Sequence, residues 1–135
     1  MIVADASALL DALARLDERG IAASERLAAE NEIHSAHLVK AEALSGLRGL
    51  EARGALSASR ASQTAEDIAN LQLTTYPIDA LVPRIWALRN NLSIYDAWYI
   101  ALAEALEAPL VTTDGRLERI PGVRCDIEVV SQRRS

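Results

Sequence analysis

The chain has 135 residues, the length of one ordinary domain, and half of them are hydrophobic, so it can form a core without disulfides or a structural metal. The single cysteine, Cys125, excludes an intrachain disulfide, and no Cys and His cluster has zinc-site spacing. The formal net charge of −5 is unfavourable for binding nucleic acid unless cations neutralise some carboxylates. Neither a secretory signal nor an apolar run of roughly 20 residues is present, so we expect a cytoplasmic protein with no membrane partner.

The first half of the chain alternates apolar runs with helical patterns. In chain order, the spacing predicts a strand at Ile2–Ala4, helices over residues 6–16 and 17–31 with a break near Gly20, a weaker strand over 32–35, and a strong helix over 36–53. Strands separated by helices are typical of a parallel sheet, because parallel neighbours need long crossover connections.

The second half continues the same alternation. The pattern predicts a helix over 57–71, a strand over 72–77, a helix over 79–90 capped by Asp79, an apolar helix over 93–108, a strand at Leu110–Thr112, and a half-exposed edge strand over 123–130. We expect Trp86 and Trp98 in the core. The whole pattern predicts an α/β fold: one three-layer domain over residues 1–135, with a central, mostly parallel sheet of about four or five strands flanked by helices and a disordered tail at 132–135.

Two acids follow predicted strands. Asp5 comes directly after Ile2–Ala4, and Asp114 comes just after Leu110–Thr112. In a parallel sheet, functional residues gather beyond the carboxyl ends of the strands. We therefore expect both carboxylates at the same edge of the sheet.

Two further acids lie near the starts of predicted helices. Asp96 is in the first turn of the helix over 93–108, and Glu42 is early in the helix over 36–53. These helices run antiparallel to the strands, so their first turns face the same edge. Neither acid has a basic residue three or four positions away, as a solvated helix acid usually does. Four converging carboxylates favour Mg²⁺ or Mn²⁺ as the bound ion.

Helix capping is the alternative explanation for these acids. Taken singly, Asp5, Asp96 and Asp114 are each explained as residues that cap a helix or turn. Glu42 caps nothing at its position, although a partner from another segment stays possible. The convergence of all four on one edge favours a metal site.

Four segments of the chain resemble the motifs of PIN-domain nucleases, and specifically of the VapC-type toxins of bacterial and archaeal toxin–antitoxin pairs. The segments are residues 2–9 (IVADASAL), 36–42 (AHLVKAE), 92–104 (LSIYDAWYIALAE) and 109–117 (PLVTTDGRL). Two positions depart from the family pattern: His37 stands where proline is frequent, and Arg116 stands where many members carry a further acid.

The resemblance implies a Mg²⁺- or Mn²⁺-dependent endoribonuclease, the toxin of a type II toxin–antitoxin pair, that hydrolyses RNA with a metal-activated water and leaves a 5′-phosphate. It implies the metal-binding and catalytic acids Asp5, Glu42, Asp96 and Asp114, and the orienting hydroxyls of Ser7 and Thr112. It also implies a homodimer and a VapB-type antitoxin that inserts a basic side chain into the acidic site.

Arginines are the natural candidates for contact with RNA phosphates. The candidates are Arg48, Arg53, Arg89 and Arg116. Two other functional classes stay open: a catalytically silent PIN-like module that binds RNA or protein, and a phosphoryl-accepting signalling domain. The second is disfavoured because Lys40 does not follow a late strand, and a phosphohydrolase is disfavoured because Ser7 replaces the second Asp that its motif needs.

Overall fold

A computed structural model of the protein describes residues 1–131. Within these residues the chain forms five strands, β1 (Ile2–Ala4), β2 (Ile33–Ala36), β3 (Thr74–Tyr76), β4 (Leu110–Thr112) and β5 (Ile127–Val129). Six α-helices accompany them: α1 (Ala6–Ala14), α2 (Glu18–Ala28), α3 (Val39–Ala52), α4 (Ala58–Asn70), α5 (Val82–Ala87) and α6 (Ile94–Leu106). The prediction of a disordered tail at 132–135 lies outside the described residues.

The strands form one sheet in the order β3-β2-β1-β4-β5, and every neighbouring pair is parallel. The chain builds outward from β1 to β2 and β3, then returns to the other side of β1 for β4 and β5. The strand order therefore reverses between β1 and β4, and in open α/β sheets ligands bind beyond the carboxyl ends of the strands at such a point. The predicted α/β class and the edge position of the last strand are confirmed.

The core consists mainly of aliphatic side chains, with Tyr99 as its one fully buried aromatic residue among residues 1–131, and the sequence has no Phe. Strands β1 and β4 are fully buried, as their uninterrupted apolar runs predict, and α6 packs against them through residues such as Ile100 and Leu102. A second apolar cluster, which includes Leu47 and Ile68, joins α1, α3 and α4. None of the helices in residues 1–131 has the length and apolar character that a membrane span requires.

The break between the first two helices differs from the prediction. Helix α1 ends at Ala14, and α2 begins after Asp17, whose side chain accepts a hydrogen bond from the Gly20 amide. Gly20 lies inside α2, where a Cβ atom would stand 2.1 Å from the Arg15 carbonyl oxygen. This glycine therefore permits a close approach between two helices, and the break itself comes from the capping aspartate.

Two elements in the second half are shorter than predicted. Asp79 caps no helix; it starts a 3₁₀ turn that precedes α5, and α5 ends at Ala87. Strand β5 pairs with β4 only over Ile127–Val129, although residues 123–130 alternate in polarity throughout. The reason is that β4 begins at Leu110, opposite Ile127, so residues 123–125 have no β4 residue beside them, and the Arg124 amide donates to the Glu104 carboxylate at 2.7 Å.

Only one of the two tryptophans behaves as predicted. Trp98 is partly buried against the core. Trp86 is 60% exposed, and the Arg89 guanidinium lies 4.7 Å from its ring centroid. The prediction of a core Trp86 is wrong because α5 is a short surface helix.

Candidate acidic active site

The structure brings the four predicted acids to the carboxyl edge of the sheet. Asp5 follows β1 directly, and Asp114 lies two residues beyond the neighbouring strand β4. Asp96 is in the first turn of α6, and Glu42 is in the first turn of α3. The four acids therefore lie at one edge of the sheet, near the point where the strand order reverses.

Asp5 is buried, with 5% of its surface exposed, and is held by three donors. The Ser7 hydroxyl donates to Oδ1 at 2.7 Å, the Thr112 hydroxyl donates to Oδ2 at 2.5 Å, and the Ala8 amide donates to Oδ1 at 3.0 Å. Burial raises the pKa of Asp5, these hydrogen bonds oppose the rise, and the charge of Asp96 adds to it. Asp5 therefore caps α1 as the alternative reading requires, yet its carboxylate has no cationic partner among the described residues.

The two predicted hydroxyls join the ends of β1 and β4. The Ser7 and Thr112 oxygens lie 3.1 Å apart. Ser7 Oγ also accepts from the Thr113 amide, and Thr112 Oγ1 accepts from the Asp114 amide, each at 3.1 Å. This network orients the Asp5 carboxylate and holds the backbone at Thr113 and Asp114 in place.

Asp96 interacts electrostatically with each of the other three acids. Its backbone amide donates to the capping hydroxyl of Ser93 at 3.1 Å. Partial burial raises the pKa of the Asp96 carboxyl, and the negative charge of Asp114 raises it further, although Ser93 and Arg116 act in the opposite direction. Asp96 is therefore the acid whose charge links the whole group.

Glu42 has a partner that the sequence analysis missed. The hydroxyl of Tyr99, a residue only 2% exposed, donates to Glu42 Oε1 at 2.5 Å. Burial raises the pKa of Glu42, and the charge of Asp96 contributes. Burial and the adjacent Glu42 charge together raise the pKa of Tyr99, so the phenol remains a donor. The available signal was position: Tyr99 is three residues after Asp96, on the same side of α6.

Asp114 differs from the other acids because it has a cationic partner. Arg116 Nε and Nη2 both donate to its carboxylate, the shorter contact being 2.6 Å, and the Arg116 amide donates at 3.0 Å. These contacts lower the pKa of Asp114. The Arg116 side chain is 79% exposed, so this pair is a weak one that water and ions can replace.

The donor chemistry of the site fits a divalent ion such as Mg²⁺ or Mn²⁺. All four groups are carboxylates, and three of them have raised pKa values because burial and mutual repulsion penalise their charges. As the side chains are turned here, no three His, Cys, Asp or Glu residues within 1–131 form a ready cage for an ion. Three of the carboxylates point to protein donors instead, and rotation of Asp114 away from Arg116 and of Glu42 away from Tyr99 would free oxygens for an ion.

The predicted RNA-contacting arginines do not form one group. Arg116 touches the acidic group directly. Arg48 and Arg53 are exposed on or just after α3, and Arg89 covers the Trp86 ring. A fifth arginine was missed: Arg19 donates to the Thr113 carbonyl at 2.5 Å and helps to lower the Asp114 pKa.

Replacement of Thr112 by valine tests the hydroxyl network. Thr112→Val keeps the side-chain volume but removes the donor to Asp5 Oδ2, so the charged form of Asp5 loses support and any metal ligand there is less well oriented. We expect hydrolytic activity at the site to fall by about 10- to 100-fold, as for other residues that support metal ligands.

Thr64→Val is the matched control. Thr64 is equally buried, but its hydroxyl donates to the Arg60 carbonyl within α4. It should lose stability without loss of activity. Equal activity losses in both variants would mean that Thr112 acts only through folding.

Comparison with known proteins agrees with this architecture. Residues 2–123 match the PIN domain family. The chain is 46% identical to ribonuclease VapC9 of Mycobacterium tuberculosis over 131 residues, which cover 96% of this chain and 98% of that protein. It is 36% identical to ribonuclease VapC1 of the same organism, over 95% and 96% of the two chains. Among solved structures, a toxin–antitoxin complex from Klebsiella pneumoniae shares the fold, with a TM-score of 0.68, 17% identity, and coverage of 98% of this chain and 100% of that one.

Proposed function

This chain belongs to the PIN domain family, and from that premise we propose that it is a metal-dependent endoribonuclease, the toxin of a type II toxin–antitoxin pair. One observation carries the proposal: Asp5, Glu42, Asp96 and Asp114 lie at one edge of the sheet, the charge of Asp96 acts on each of the other three, and three of the four have raised pKa values. Crowded carboxylates of this kind are unfavourable unless a cation joins them, so their cost indicates a function.

Asp5, Asp96 and Asp114 are the residues that would hold a divalent ion directly, and Glu42 would act through a water molecule. When bound, Mg²⁺ or Mn²⁺ supplies Lewis acidity for the scissile phosphate and the attacking water. Asp5 would be a rigid ligand, and Asp114 would be an adjustable one. Asp5 is fixed by three donors, whereas Asp114 exchanges with Arg116 at the surface.

The surrounding residues position the acids and the RNA. Ser7 and Thr112 hold the Asp5 carboxylate in one orientation, and the Tyr99 phenol holds that of Glu42. Arg116, once released from Asp114, is close enough to the acids to contact an RNA phosphate beside them. The predictions that Arg48 and Arg89 contact RNA remain predictions.

The proposal is tested by incubating the purified chain with RNA in the presence of Mg²⁺, Mn²⁺ or EDTA. We expect cleavage with either metal, none with EDTA, and 5′-phosphorylated product ends. Cleavage that persists in EDTA would contradict the metal-dependent chemistry, and intact RNA under every condition would favour a silent RNA- or protein-binding module.

We also propose a VapB-type antitoxin partner and a homodimer. The support is the similarity to VapC-named ribonucleases and the acidic site itself, because carboxylates without cationic partners can accept a basic side chain from another protein. Expression of the chain alone should arrest growth, and co-expression with the product of the neighbouring small open reading frame should relieve the arrest. Gel filtration with light scattering measures the assembly.

A phosphoryl-accepting signalling role has no support in the geometry. Such a site needs a lysine near the acids. The Lys40 ammonium instead donates to the carbonyls of Ala69 and Leu71 at the end of α4, at 2.9 and 3.2 Å.

Replacement of Arg116 separates metal binding from RNA binding. In Arg116→Gln the ion no longer competes with a guanidinium for Asp114, so we expect Mn²⁺ affinity to rise by up to about fivefold, the limit for an exposed ion pair. The same variant loses one phosphate contact, so the slope of log affinity for RNA against log salt should become shallower by about 0.7.

Arg119→Gln is the control, because Arg119 is an exposed arginine on the same 3₁₀ turn. Calorimetry with Mn²⁺ and RNA titrations at several salt concentrations measure the two effects. Weaker Mn²⁺ binding in Arg116→Gln would show that Arg116 supports the metal site rather than competing with it.

A further inference from the structure

A cleft of about 480 Å³ opens beside the acidic site, between α1 and α3. A pocket of this size lies within the roughly 300–1,000 Å³ that hold small ligands. Ser7 and Thr113 line one end of it. Ser7 donates to Asp5, and Thr113 directly precedes Asp114, so the cleft leads straight to the acidic group.

Helix α3 carries two glycines along the cleft, Gly46 and Gly49. Glycine inside a helix is destabilising relative to alanine, so each position calls for an explanation. At Gly46 a Cβ atom would stand 2.7 Å from Leu10 of α1, and packing explains the residue. At Gly49 a Cβ would meet only the Arg53 guanidinium, at 3.4 Å. Packing therefore does not require glycine at position 49. The absence of a side chain there leaves open space in the cleft.

The lining of the cleft contains more basic than acidic side chains, together with Leu10 and Leu50, although the chain carries a net charge of −5. Arg15, Arg19 and Arg53 line it, against a single acid, Asp11. Arg15 is paired with Asp17, and Arg19 lies 3.0 Å from Asp11, but Arg53 makes no ion pair among the described residues. Arg53 therefore leaves one positive charge that is unpaired among residues 1–131 in a cleft that leads to an acidic centre, and this combination fits a polyanion that approaches a metal site.

A buried hydroxyl at the inner end of the cleft has no partner. Thr113 is 3% exposed, and its Oγ1 forms no hydrogen bond with any described residue. A buried polar group without a partner is costly. Rotation about χ1 would present this hydroxyl to a ligand that enters the cleft.

We propose that this cleft seats the single-stranded RNA segment adjoining the scissile phosphate, with Gly49 leaving room for a nucleotide and Arg53 contacting the backbone. The inference rests on the proposed ribonuclease function and assigns its strand-binding subsite. RNA is favoured over a protein segment because the lining is cationic and because the cleft ends at the acids that would act on a phosphodiester.

Gly49→Leu tests the shape of the cleft. The leucine favours the helix and fills the space that the glycine leaves open, so we expect binding of fluorescein-labelled single-stranded RNA of random sequence to weaken by about tenfold, as when one base loses its contacts. Gly49→Ala is the matched control: it adds one methyl group and should bind RNA within about twofold of the unaltered chain, with equal or higher melting temperature. All variants carry Asp96→Asn so that the probe is not cut.

Arg53→Gln tests the charge of the cleft. The loss of one phosphate contact should make the salt slope of RNA binding shallower by about 0.7. Arg124→Gln is the control, because Arg124 is exposed near the amino end of β4, at the opposite edge of the sheet, and its slope should not change.

The outcomes separate this inference from the ribonuclease proposal. RNA binding that falls in Gly49→Leu and Arg53→Gln but not in their controls supports the cleft, whether or not the unaltered chain cleaves RNA. An unaltered chain that cleaves RNA, together with cleft variants that bind like their controls, overturns the cleft and leaves the ribonuclease proposal intact. Gly49→Leu that binds RNA normally but no longer associates with the product of the neighbouring open reading frame also overturns it, because the cleft is then a protein site.

Discussion

Asp96→Asn is expected to lower RNA cleavage by roughly 10²–10³-fold or more while the fold is retained. The loss follows from removing a charged group that we propose as a metal ligand, since a bound metal ion stabilises transition-state charge by several kcal/mol. Asparagine keeps the side-chain shape, and the helix cap is preserved because the residue's backbone amide is the group that donates to Ser93. Cleavage rates with Mn²⁺, together with circular dichroism, measure the two effects.

The same variant should melt at an equal or higher temperature than the unaltered chain in EDTA. The Asp96 carboxylate pays a desolvation penalty and repels Asp114, and both penalties disappear with its charge. Asp126→Asn is the matched control, since Asp126 is exposed at the opposite edge of the sheet, where its carbonyl accepts from Leu110 at 2.9 Å. Undiminished cleavage with normal metal dependence in Asp96→Asn would refute the site assignment.

Mn²⁺ is expected to raise the melting temperature of the unaltered chain by about 10 °C when its free concentration is ~100 times its Kd. A ligand at that ratio stabilises the folded state by about 2.7 kcal/mol, and a domain of this size gains a few degrees per kcal/mol. Asp96→Asn should show a much smaller rise. A rise of equal size in both proteins would place the ion elsewhere.

The pH dependence of this stabilisation follows from the raised pKa values of Asp5, Glu42 and Asp96. In the absence of metal, the folded state holds protons on these carboxyls to higher pH than the unfolded state does. Their contribution to stability is therefore complete below the ordinary carboxyl pKa values and is lost as pH rises through the raised ones. Asp114, whose pKa is lowered, has the opposite sign, and its contribution is lost as pH falls.

Metal binding reverses the effect of the three raised acids, because an ion binds their charged forms and displaces protons. The Mn²⁺-induced rise in melting temperature should therefore be larger at neutral pH than at about pH 5. Thermal melts in Mn²⁺ and in EDTA at both pH values measure the difference. A rise that does not depend on pH would mean that the ion does not displace protons from these carboxyl groups.

The strands and the longest helices were predictable because each is specified by its own residues. Buried runs such as Ile2–Ala4 and Leu110–Thr112 are apolar throughout, as strands covered on both faces must be. Residues 123–125 alternate like a strand but do not pair, because β4 begins only at Leu110, opposite Ile127, and the Arg124 amide donates to the distant Glu104. The prediction that Trp86 lies in the core was wrong because residue type alone does not reveal which face of a short helix is buried.

The sequence by itself determined which acids lie at one edge of the sheet. Asp5 and Asp114 follow parallel strands, whose carboxyl ends share one edge of the sheet. Asp96 and Glu42 lie in the first turns of helices that run antiparallel to the strands, and those first turns lie at the same edge. This argument requires only local patterns, because the direction of each element follows from its place in the alternation.

Only the tertiary structure decided how those acids are held and what lies beside them. The Ser7–Thr112 contact joins residues 105 positions apart, and the Tyr99–Glu42 hydrogen bond joins residues 57 apart. No local pattern specifies such pairs, since they depend on how the packed elements are set against one another. The same is true of the open space at Gly49, which is a property of two facing helices and cannot be read from either one.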